Sequence, residues 1–407
     1  MAAPSFHLSA HAVVVDEPVP IVVGSLAPRA TVVVGATFAH VGRWWSARAS
    51  FAVGEDGRVD LSKAAARSGS YRGVDPMGLV WSARPGPPPP GVTDRSVTVL
   101  SAAVGGREVA TANLQRLPAR PGVRVVPVRA AGLVGELHLP SGAGARPGVV
   151  VLGGAQGGLG HGVRTRAAGL ASHGFAALAL AYVGAEGLPD QLAHVPVEYV
   201  GTALRWLGGQ PGVDGQRLGL LGSSRGAELA LVAAANVPGA AAVVALAPPD
   251  VVWSGGAAGS RHRSAWTLNG EPLPFLDLRS PMVAARARRR DPAVEIPLER
   301  FGGAVLLVSG DADAVWPSSL MASRLAARAA GDGAGAGDGQ DSGGPDPGGS
   351  RPYVRHLRCP AAGHWLLRPY HPTTALDGGG TAAGNARAAE SSWTATLDFL
   401  GAHLGAG

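Results

Sequence analysis

Ser224 lies in the stretch of this sequence whose residue types are best suited to chemistry. It stands between Gly222 and Gly226 in the pattern G-x-S-x-G, after the apolar run 218–221 and before the helix-forming stretch 227–235. A strand, a tight turn flanked by glycines and a helix form the context in which a serine hydroxyl is held exposed as a nucleophile. Because the chain has 61 glycines, a plain glycine-serine turn in a parallel sheet is the alternative.

A serine becomes a good nucleophile when a base takes its proton and a carboxylate orients that base. Asp313 follows the apolar strand pattern AVLLVSG, and His364 follows the strand pattern YVRHLRC. Serine, acid and histidine in this order along the chain are typical of α/β-hydrolases. We therefore predict Ser224 as the nucleophile, His364 as the base and Asp313 as the acid, with a solvated turn aspartate as the alternative for Asp313.

Other polar residues near these positions fit the same roles less well. Asp311 is the rival acid, two residues before Asp313. His356 lies within a predicted strand, and His371 comes later in the chain, directly before a proline. Cys359 follows a strand far from the serine in sequence, and we expect it to be a small core residue.

Two backbone N–H groups are expected to stabilise the oxyanion that forms when a carbonyl is attacked. Arg225 is at the start of the predicted helix, where N–H groups are free to meet negative charge. The glycine-rich turn 153–158 after an early strand would supply the second donor, for which we predict Gln156, with Ala155 or Gly157 as alternates. The turn lacks the G-K-[ST] ending of a phosphate-binding loop, which argues against that use.

The elements that position these residues fall into two predicted domains. Residues 1–130 contain short β-branched or alternating runs between glycine, proline and aspartate turns, which predicts an all-β, immunoglobulin-like sandwich. Residues 131–407 alternate strands and helices, which predicts a mostly parallel sheet with helices on both faces, the α/β-hydrolase class. An insertion at 250–300 is either a lid or pocket wall or a surface excursion, and the loop 331–350 is predicted to be disordered.

Composition limits the remaining functions. Apolar residues make up 46% of the 407 residues, and the net charge of +6 comes almost entirely from arginine. No dense basic stripe with aromatics suggests nucleic-acid binding. One cysteine argues against a disulfide framework and a cysteine-based zinc site. With no signal-peptide pattern and no long apolar run, we expect a cytoplasmic protein without a membrane span, and no metal or organic cofactor.

Several motifs in order resemble the family of acyl-CoA thioesterases and bile acid-CoA:amino acid N-acyltransferases. In the second region these are PGVVVLGGAQGGL, HGFAALALAY, LGLLGSSRGAELAL, VSGDADAVWPSS and AAGHWLLRPYHP. In the first region they are DEPVPIVVGSLAP and GRVDLSKAAARSGSYRGVDPMGLVWSA. The resemblance covers nearly the whole chain. It departs at GDADAVW, where the family has G-x-D-D-x-x-W, and at Gln156, where the family often has glycine.

The resemblance implies a serine thioesterase that hydrolyses acyl-CoA, or a related acyl thioester, through an acyl-serine intermediate. CoA is then part of the substrate, and the oligomeric state is left open. Acyl transfer to an amine or alcohol is the first alternative. The family's amino-acid transferases, however, use cysteine at the position that corresponds to Ser224. A non-catalytic binding protein is the second. Basic side chains that either contact CoA phosphates or form a solvated face are Arg261, Arg263, Arg286, Arg288, Arg289 and Arg290.

Overall fold

The described part of the chain divides into two units. The computed structural model describes residues 2–256, 262–277, 281–282, 291–331 and 352–405. Within these ranges the first unit takes residues up to 120 together with 368–376 and 381–390, and the second takes 121–367, 377–380 and the residues from 391 on. The division into domains at residues 130 and 131 remains a prediction, while the two units change between residues 120 and 121. The strand just before residue 131 belongs to the sheet of the second unit.

The first unit is built from two β-sheets. The three-stranded sheet, in the order β1-β3-β6, contains β1 (Ser5–Leu8), β3 (Ile21–Gly24) and β6 (Val59–Asp60). The larger sheet, in the order β2-β10-β9-β4-β5-β7 with β8 paired to β5, contains β2 (Ala12–Val14), β4 (Thr31–His40), β5 (Arg43–Ala52), β7 (Ser68–Gly69), β8 (Arg84–Pro85), β9 (Val97–Val104) and β10 (Arg107–Leu117). A short helix, α1 (Gly78–Trp81), follows β7.

Alternation along the strands produces the core of this unit. On β4, Val32 and Val34 are fully buried while Val33 between them is 37% exposed. Val23 of the small sheet and Phe51 of the large sheet belong to one buried cluster. The two sheets therefore share a core, which confirms the predicted all-β sandwich.

The second unit is organised around an eight-stranded sheet. Its order is β11-β12-β14-β13-β16-β17-β20-β21, formed by β11 (Arg124–Ala130), β12 (Leu133–Leu139), β13 (Arg146–Leu152), β14 (Ala176–Ala181), β16 (Val213–Ser223), β17 (Ala242–Leu246), β20 (Ala304–Gly310) and β21 (Tyr353–Cys359). β12 runs antiparallel to its two neighbours, and all other pairs are parallel. This order and direction are those of an α/β-hydrolase, which confirms the predicted class.

Helices connect the parallel strands of this sheet, and one more follows the last strand, β21. They are α2 (His161–Ser172), α3 (Glu198–Gly208), α4 (Arg225–Asn236), α5 (Ser318–Ala330) and α6 (Ala382–Leu404), with short 3₁₀ turns at Pro292–Val294 and Leu298–Arg300. The first residues of α6, up to 390, group with the first unit. α4 buries ten of its residues, as expected for a helix made largely of alanine and leucine that packs on the sheet. Among the described residues, no helix is both long enough and apolar enough to cross a membrane.

The described part of the insertion at 250–300 packs into the second unit. Trp253 and Trp266 have no exposed surface. A small sheet joins β15 (Val195–Pro196), β18 (Trp266–Leu268) and β19 (Glu271–Pro272). The part of the insertion around Trp253 and Trp266 is therefore core structure, whereas β19 is exposed. Apart from Gly331, the loop predicted to be disordered at 331–350 lies outside the described residues.

Two neighbouring valines on β4 test the sandwich. Val34→Ala removes two buried methyl groups and is expected to lower the free energy of unfolding by about 2 kcal/mol. Val33→Ala, on the exposed face of the same strand, should change it by less than about 0.5 kcal/mol. Urea unfolding of both variants measures the difference. Equal losses would contradict the assignment of the two faces.

Candidate active site

The turn between β16 and α4 holds Ser224 in a strained backbone conformation. Its φ is 57° and its ψ is −119°, a region that costs roughly 1–3 kcal/mol for such a residue unless the surroundings fix it. The Ser224 N–H donates to the carbonyl of Leu246 at 2.8 Å. The Ser224 carbonyl accepts from the N–H groups of Ala227 and Glu228 at 2.9 and 3.0 Å. Hydrogen bonds on both sides of the residue therefore hold the strained turn.

The two glycines of the turn are required by close backbone contacts. A Cβ on Gly222 would lie 2.1 Å from the carbonyl oxygen of Gly226. A Cβ on Gly226 would lie 2.2 Å from the carbonyl oxygen of Gly153 and 2.5 Å from that of Leu152. No side chain fits at either position, so both glycines of the pattern have a steric reason.

The structure brings together the three side chains predicted as nucleophile, base and acid. His364 Nδ1 is 2.8 Å from the Asp313 carboxylate, and His364 Nε2 is 2.8 Å from Ser224 Oγ. Because a carboxylate only accepts hydrogen bonds, Nδ1 carries the proton and Nε2 accepts from the serine hydroxyl. The other carboxylate oxygen accepts from the N–H groups of Val315 and Trp316 at 2.9 and 3.2 Å, which orients the acid. Their catalytic roles stay predictions.

The rival acid and histidines lie elsewhere. Asp311 accepts from Ser319 Oγ at 2.8 Å and from Arg358 Nε at 3.2 Å. His356 is 2.8 Å from Ser309 Oγ, and burial lowers the pKa of His356 to about 4. The ring of His371 is 4.7 Å from that of His40 in the first unit. Asp311, His356 and His371 therefore take no part in the hydrogen bonds that join Ser224, His364 and Asp313.

A third segment supports the loops that carry the acid and the base. Asp313 forms a bridge with Gly379, and Ala362 forms one with Gly380. The N–H of His364 donates to the carbonyl of Gly378 at 2.8 Å. Gly379 has a φ of +88°, and a Cβ there would lie 2.1 Å from the Ala312 carbonyl oxygen. The sequence interpretation missed this segment, although the run of three glycines at 378–380 was a visible signal.

Tryptophan rings pack around the imidazole of His364. Trp316 and Trp365 each lie 4.9 Å from it, edge to face, at 89° and 80°. Trp316 in turn lies nearly parallel to Trp253 at a centroid distance of 6.3 Å. The imidazole is 2% exposed at the residue level, and these rings limit its rotation to the orientation that the two hydrogen bonds need.

The predicted oxyanion donor Arg225 is the first residue of α4. Its N–H belongs to the first turn, where the N–H groups have no acceptor within the helix. The helix dipole also favours negative charge at this end. The position next to Ser224 therefore fits the predicted role.

The glycine-rich turn after β13 lies beside the serine. A Cβ built on Gly154 would be 3.7 Å from the Cβ of Ser224. The Tyr182 hydroxyl donates a shared hydrogen bond to the carbonyl oxygens of Gly153 and Gly154, at 2.8 and 3.0 Å. The start of the turn is therefore held close to Ser224, on the side where a second oxyanion donor is predicted.

Within this turn, the candidates for the second oxyanion donor differ in whether their N–H group already has a hydrogen-bond acceptor. The N–H of Gly157 donates to the carbonyl of Gly154 at 3.2 Å, so it is occupied inside the turn. Gln156 and Ala155 are exposed. Gln156 stays the predicted donor, with Ala155 as its alternate.

The remaining predictions about ligands concern charged surface residues. Arg263 is exposed. The other arginines proposed to meet CoA phosphates, Arg261, Arg286, Arg288, Arg289 and Arg290, lie outside the described residues. Within the described ranges, no group of three or more histidine, cysteine, aspartate or glutamate side chains is arranged to hold a metal ion. Cys359 is buried, and burial raises the pKa of its thiol to about 11.

Two family models match the chain. The one described as "Acyl-CoA thioester hydrolase/BAAT N-terminal region" matches residues 16–130. The one described as "BAAT / Acyl-CoA thioester hydrolase C terminal" matches residues 195–334. Together they cover more than half of the chain, and the second includes Ser224 and Asp313.

Curated proteins match over almost the full length. A peroxisomal succinyl-coenzyme A thioesterase of Mus musculus is 31% identical over 96% of this chain and 94% of its own. The acyl-coenzyme A thioesterase 1 of Homo sapiens is also 31% identical, over 96% of this chain and 94% of its own. A dienelactone hydrolase-like promiscuous phosphotriesterase from metagenomic libraries aligns with a TM-score of 0.44 at 20% identity, covering 69% of this chain and 98% of that chain.

A methyl group at the turn tests the geometry directly. Gly222→Ala should lower the rate at which a fluorophosphonate probe labels Ser224 by about 100-fold, because a shift of about 1 Å in the backbone misaligns the hydroxyl. Gly209→Ala is the matched control, since its Cβ would meet nothing closer than 3.6 Å. Labelling at the wild-type rate in Gly222→Ala would contradict the steric requirement.

Proposed function

Since the chain belongs to the family of acyl-CoA thioester hydrolases and bile acid-CoA:amino acid N-acyltransferases, we propose that it is an acyl-CoA thioesterase that uses Ser224 as its nucleophile. The unbroken path from Ser224 Oγ through His364 to Asp313, with 2.8 Å at each step, carries this proposal. A hydroxyl, an imidazole and a carboxylate in this sequence are the groups that acyl transfer from a thioester needs.

The first half of the reaction forms an acyl-enzyme. Ser224 Oγ attacks the thioester carbonyl carbon while its proton passes to His364 Nε2. The N–H groups of Arg225 and of the Gln156 region hold the negative oxygen. The tetrahedral intermediate then collapses, the carbon–sulfur bond breaks, and the proton on His364 goes to the departing sulfur. CoA leaves as its thiol, and the acyl group remains as an ester of Ser224.

The second half returns the enzyme to its starting state. A water molecule gives a proton to His364 Nε2 and attacks the acyl-serine carbonyl, again with the oxyanion at the same two N–H groups. The carbon–oxygen bond to Ser224 breaks, and the proton on His364 returns to the serine. Asp313 keeps the imidazole in the required tautomer and stabilises it when it is charged.

The type of nucleophile favours hydrolysis over transfer. An acyl-serine is an oxygen ester, which water attacks readily, whereas a thioester on cysteine is better suited to attack by an amine. The mouse and human relatives are both named as thioesterases. Acyl transfer to an amine or alcohol remains the second candidate and is separated by product analysis.

The cytoplasmic location stays a prediction. One relative is named as peroxisomal and another, from Rattus norvegicus, as mitochondrial. The compartment therefore varies among proteins with similar chains.

Release of CoA from a panel of acyl-CoA substrates tests the function. Wild-type protein should produce free CoA and free acid in equal amounts, with or without added amino acids. Ser224→Ala should lower kcat by roughly 10⁴-fold or more while leaving the fold intact, because only one oxygen atom is removed. An N-acyl product would favour the transferase, and the absence of any CoA release or probe labelling would favour a binding protein.

The two aspartates of the GDADAVW loop make a matched pair. Asp313→Asn should lower kcat on the order of 10⁴-fold, because an amide no longer holds the imidazole in the productive tautomer. Asp311→Asn should change kcat by less than about threefold, because Asp311 contacts Ser319 and Arg358 and not His364. Steady-state kinetics of both variants decide the assignment. A large loss in Asp311→Asn with none in Asp313→Asn would reverse it.

A further inference from the structure

A buried ion pair lies in the first turn of α4, directly after the nucleophile. Arg225 Nη1 is 2.8 Å from a carboxylate oxygen of Glu228, and the two side chains are 1% and 0% exposed. The pair plays no part in the proton transfers described above. Burial raises the pKa of Glu228 to about 7 and lowers the pKa of Arg225.

Both members of the pair hold the described start of the insertion. Glu228 Oε1 accepts from the Trp253 N–H at 2.9 Å and from the Trp266 indole N–H at 2.6 Å. Arg225 Nη2 donates to the carbonyl oxygens of Trp253 and Ser254 at 3.3 and 3.1 Å. The guanidinium also lies 5.6 Å from the centre of the Trp266 ring. The pair therefore fixes the direction of this segment as well as its distance from α4.

Packing the segment that contains Trp253 and Trp266 against α4 does not by itself require buried charges. Taking two ions out of water is unfavourable, and a well-packed apolar pair of similar size often stabilises a fold equally well. What apolar packing lacks is directionality, because hydrogen bonds and ion pairs fix angles that apolar contacts leave loose.

Contacts lead from this pair to both sides of the reacting serine. On one side, the backbone N–H of Arg225 is the predicted oxyanion donor. On the other, the Trp253 ring lies 6.3 Å from the Trp316 ring, nearly parallel to it. Trp316 packs 4.9 Å from His364 and donates its backbone N–H to Asp313 at 3.2 Å. One buried carboxylate is thus connected to the oxyanion donor and to the acid and base.

We propose that Glu228 and Arg225 are positioning residues that align the oxyanion donor with the His364–Asp313 pair by holding Trp253 and Trp266 against the first turn of α4. This inference rests on the proposed function, because alignment matters only if Ser224 reacts. It assigns a role to the start of the insertion, which forms a support behind the site. Neither residue transfers a proton or touches the reacting atoms through its side chain.

Glu228→Gln tests the positioning role. The amide keeps the size of the side chain and one acceptor oxygen but removes the charge that pairs with Arg225. We expect kcat for acyl-CoA to fall about 10- to 100-fold with KM within twofold, and probe labelling of Ser224 to slow by a similar factor. Glu198→Gln is the matched control: Glu198 lies in the first turn of α3 and accepts from the N–H of Asn269, and its substitution should leave both rates unchanged.

A double variant separates positioning from stability. Arg225→Met with Glu228→Met removes both charges together, so no unpaired ion is buried. The Trp253 N–H and the Trp266 indole N–H lose their acceptor, so the thermal unfolding midpoint should fall, while the variant should remain folded at the assay temperature. The labelling rate should nevertheless stay at least tenfold low. Wild-type labelling in a folded double variant, or in Glu228→Gln, would overturn the inference. If Glu228→Gln fails to fold, the double variant decides.

The two proposals fail in different ways. If wild-type protein releases no CoA but its Ser224 reacts with the probe, the thioesterase proposal fails and the labelling rates of the variants still test the positioning role. If wild type hydrolyses acyl-CoA and Glu228→Gln matches it in kcat, the positioning role alone fails.

Discussion

The close approach of α4 to the carboxyl end of β13 is the constraint on which the rest of the site depends. Gly226 packs against the carbonyls of Leu152 and Gly153 so tightly that a Cβ would lie 2.5 and 2.2 Å from them. Because the helix comes this close, its first turn lies beside the start of the glycine-rich turn that follows β13. Between β16 and this helix, the chain passes through the strained conformation at Ser224. Backbone contacts alone therefore hold the turn that carries the Ser224 hydroxyl.

Parallel pairing explains how residues far apart in sequence meet. β13, β16, β17, β20 and β21 run in the same direction, so their carboxyl ends lie along one edge of the sheet. Ser224 follows β16, and the loops after β20 and β21 bring Asp313 and His364 back towards it. The segment 378–380 then joins these two loops by backbone bridges. The position of the His364 imidazole is thereby fixed by three kinds of contact: the backbone hydrogen bond to Gly378, the hydrogen bond to the Asp313 carboxylate, and packing against Trp316 and Trp365.

The sequence pattern predicted the elements that depend on neighbouring residues, namely the strands and the tight turn. The bounds of β20 and β21 agree with the runs AVLLVSG and YVRHLRC, and the turn around Ser224 follows from its glycines. The position after the strand favours Asp313 as the acid, with Asp311 as its rival, and the structure places Asp313 beside His364. The bridge at Gly379 and the hydrogen bonds from Trp253 and Trp266 to Glu228 join residues more than 20 positions apart, which no local pattern reveals. The association of residues 368–376 with the first unit is of the same long-range kind.

Cys359 is the single cysteine of the chain, and it lies buried at the end of β21 with 4% of its surface exposed. Burial keeps the sulfur in its protonated form at neutral pH, since it raises the pKa to about 11. A chromogenic disulfide reagent can therefore remain in the cuvette during turnover. Its colour then reports the sulfhydryl set free from the substrate, because the folded polypeptide offers the dye no reactive thiolate of its own.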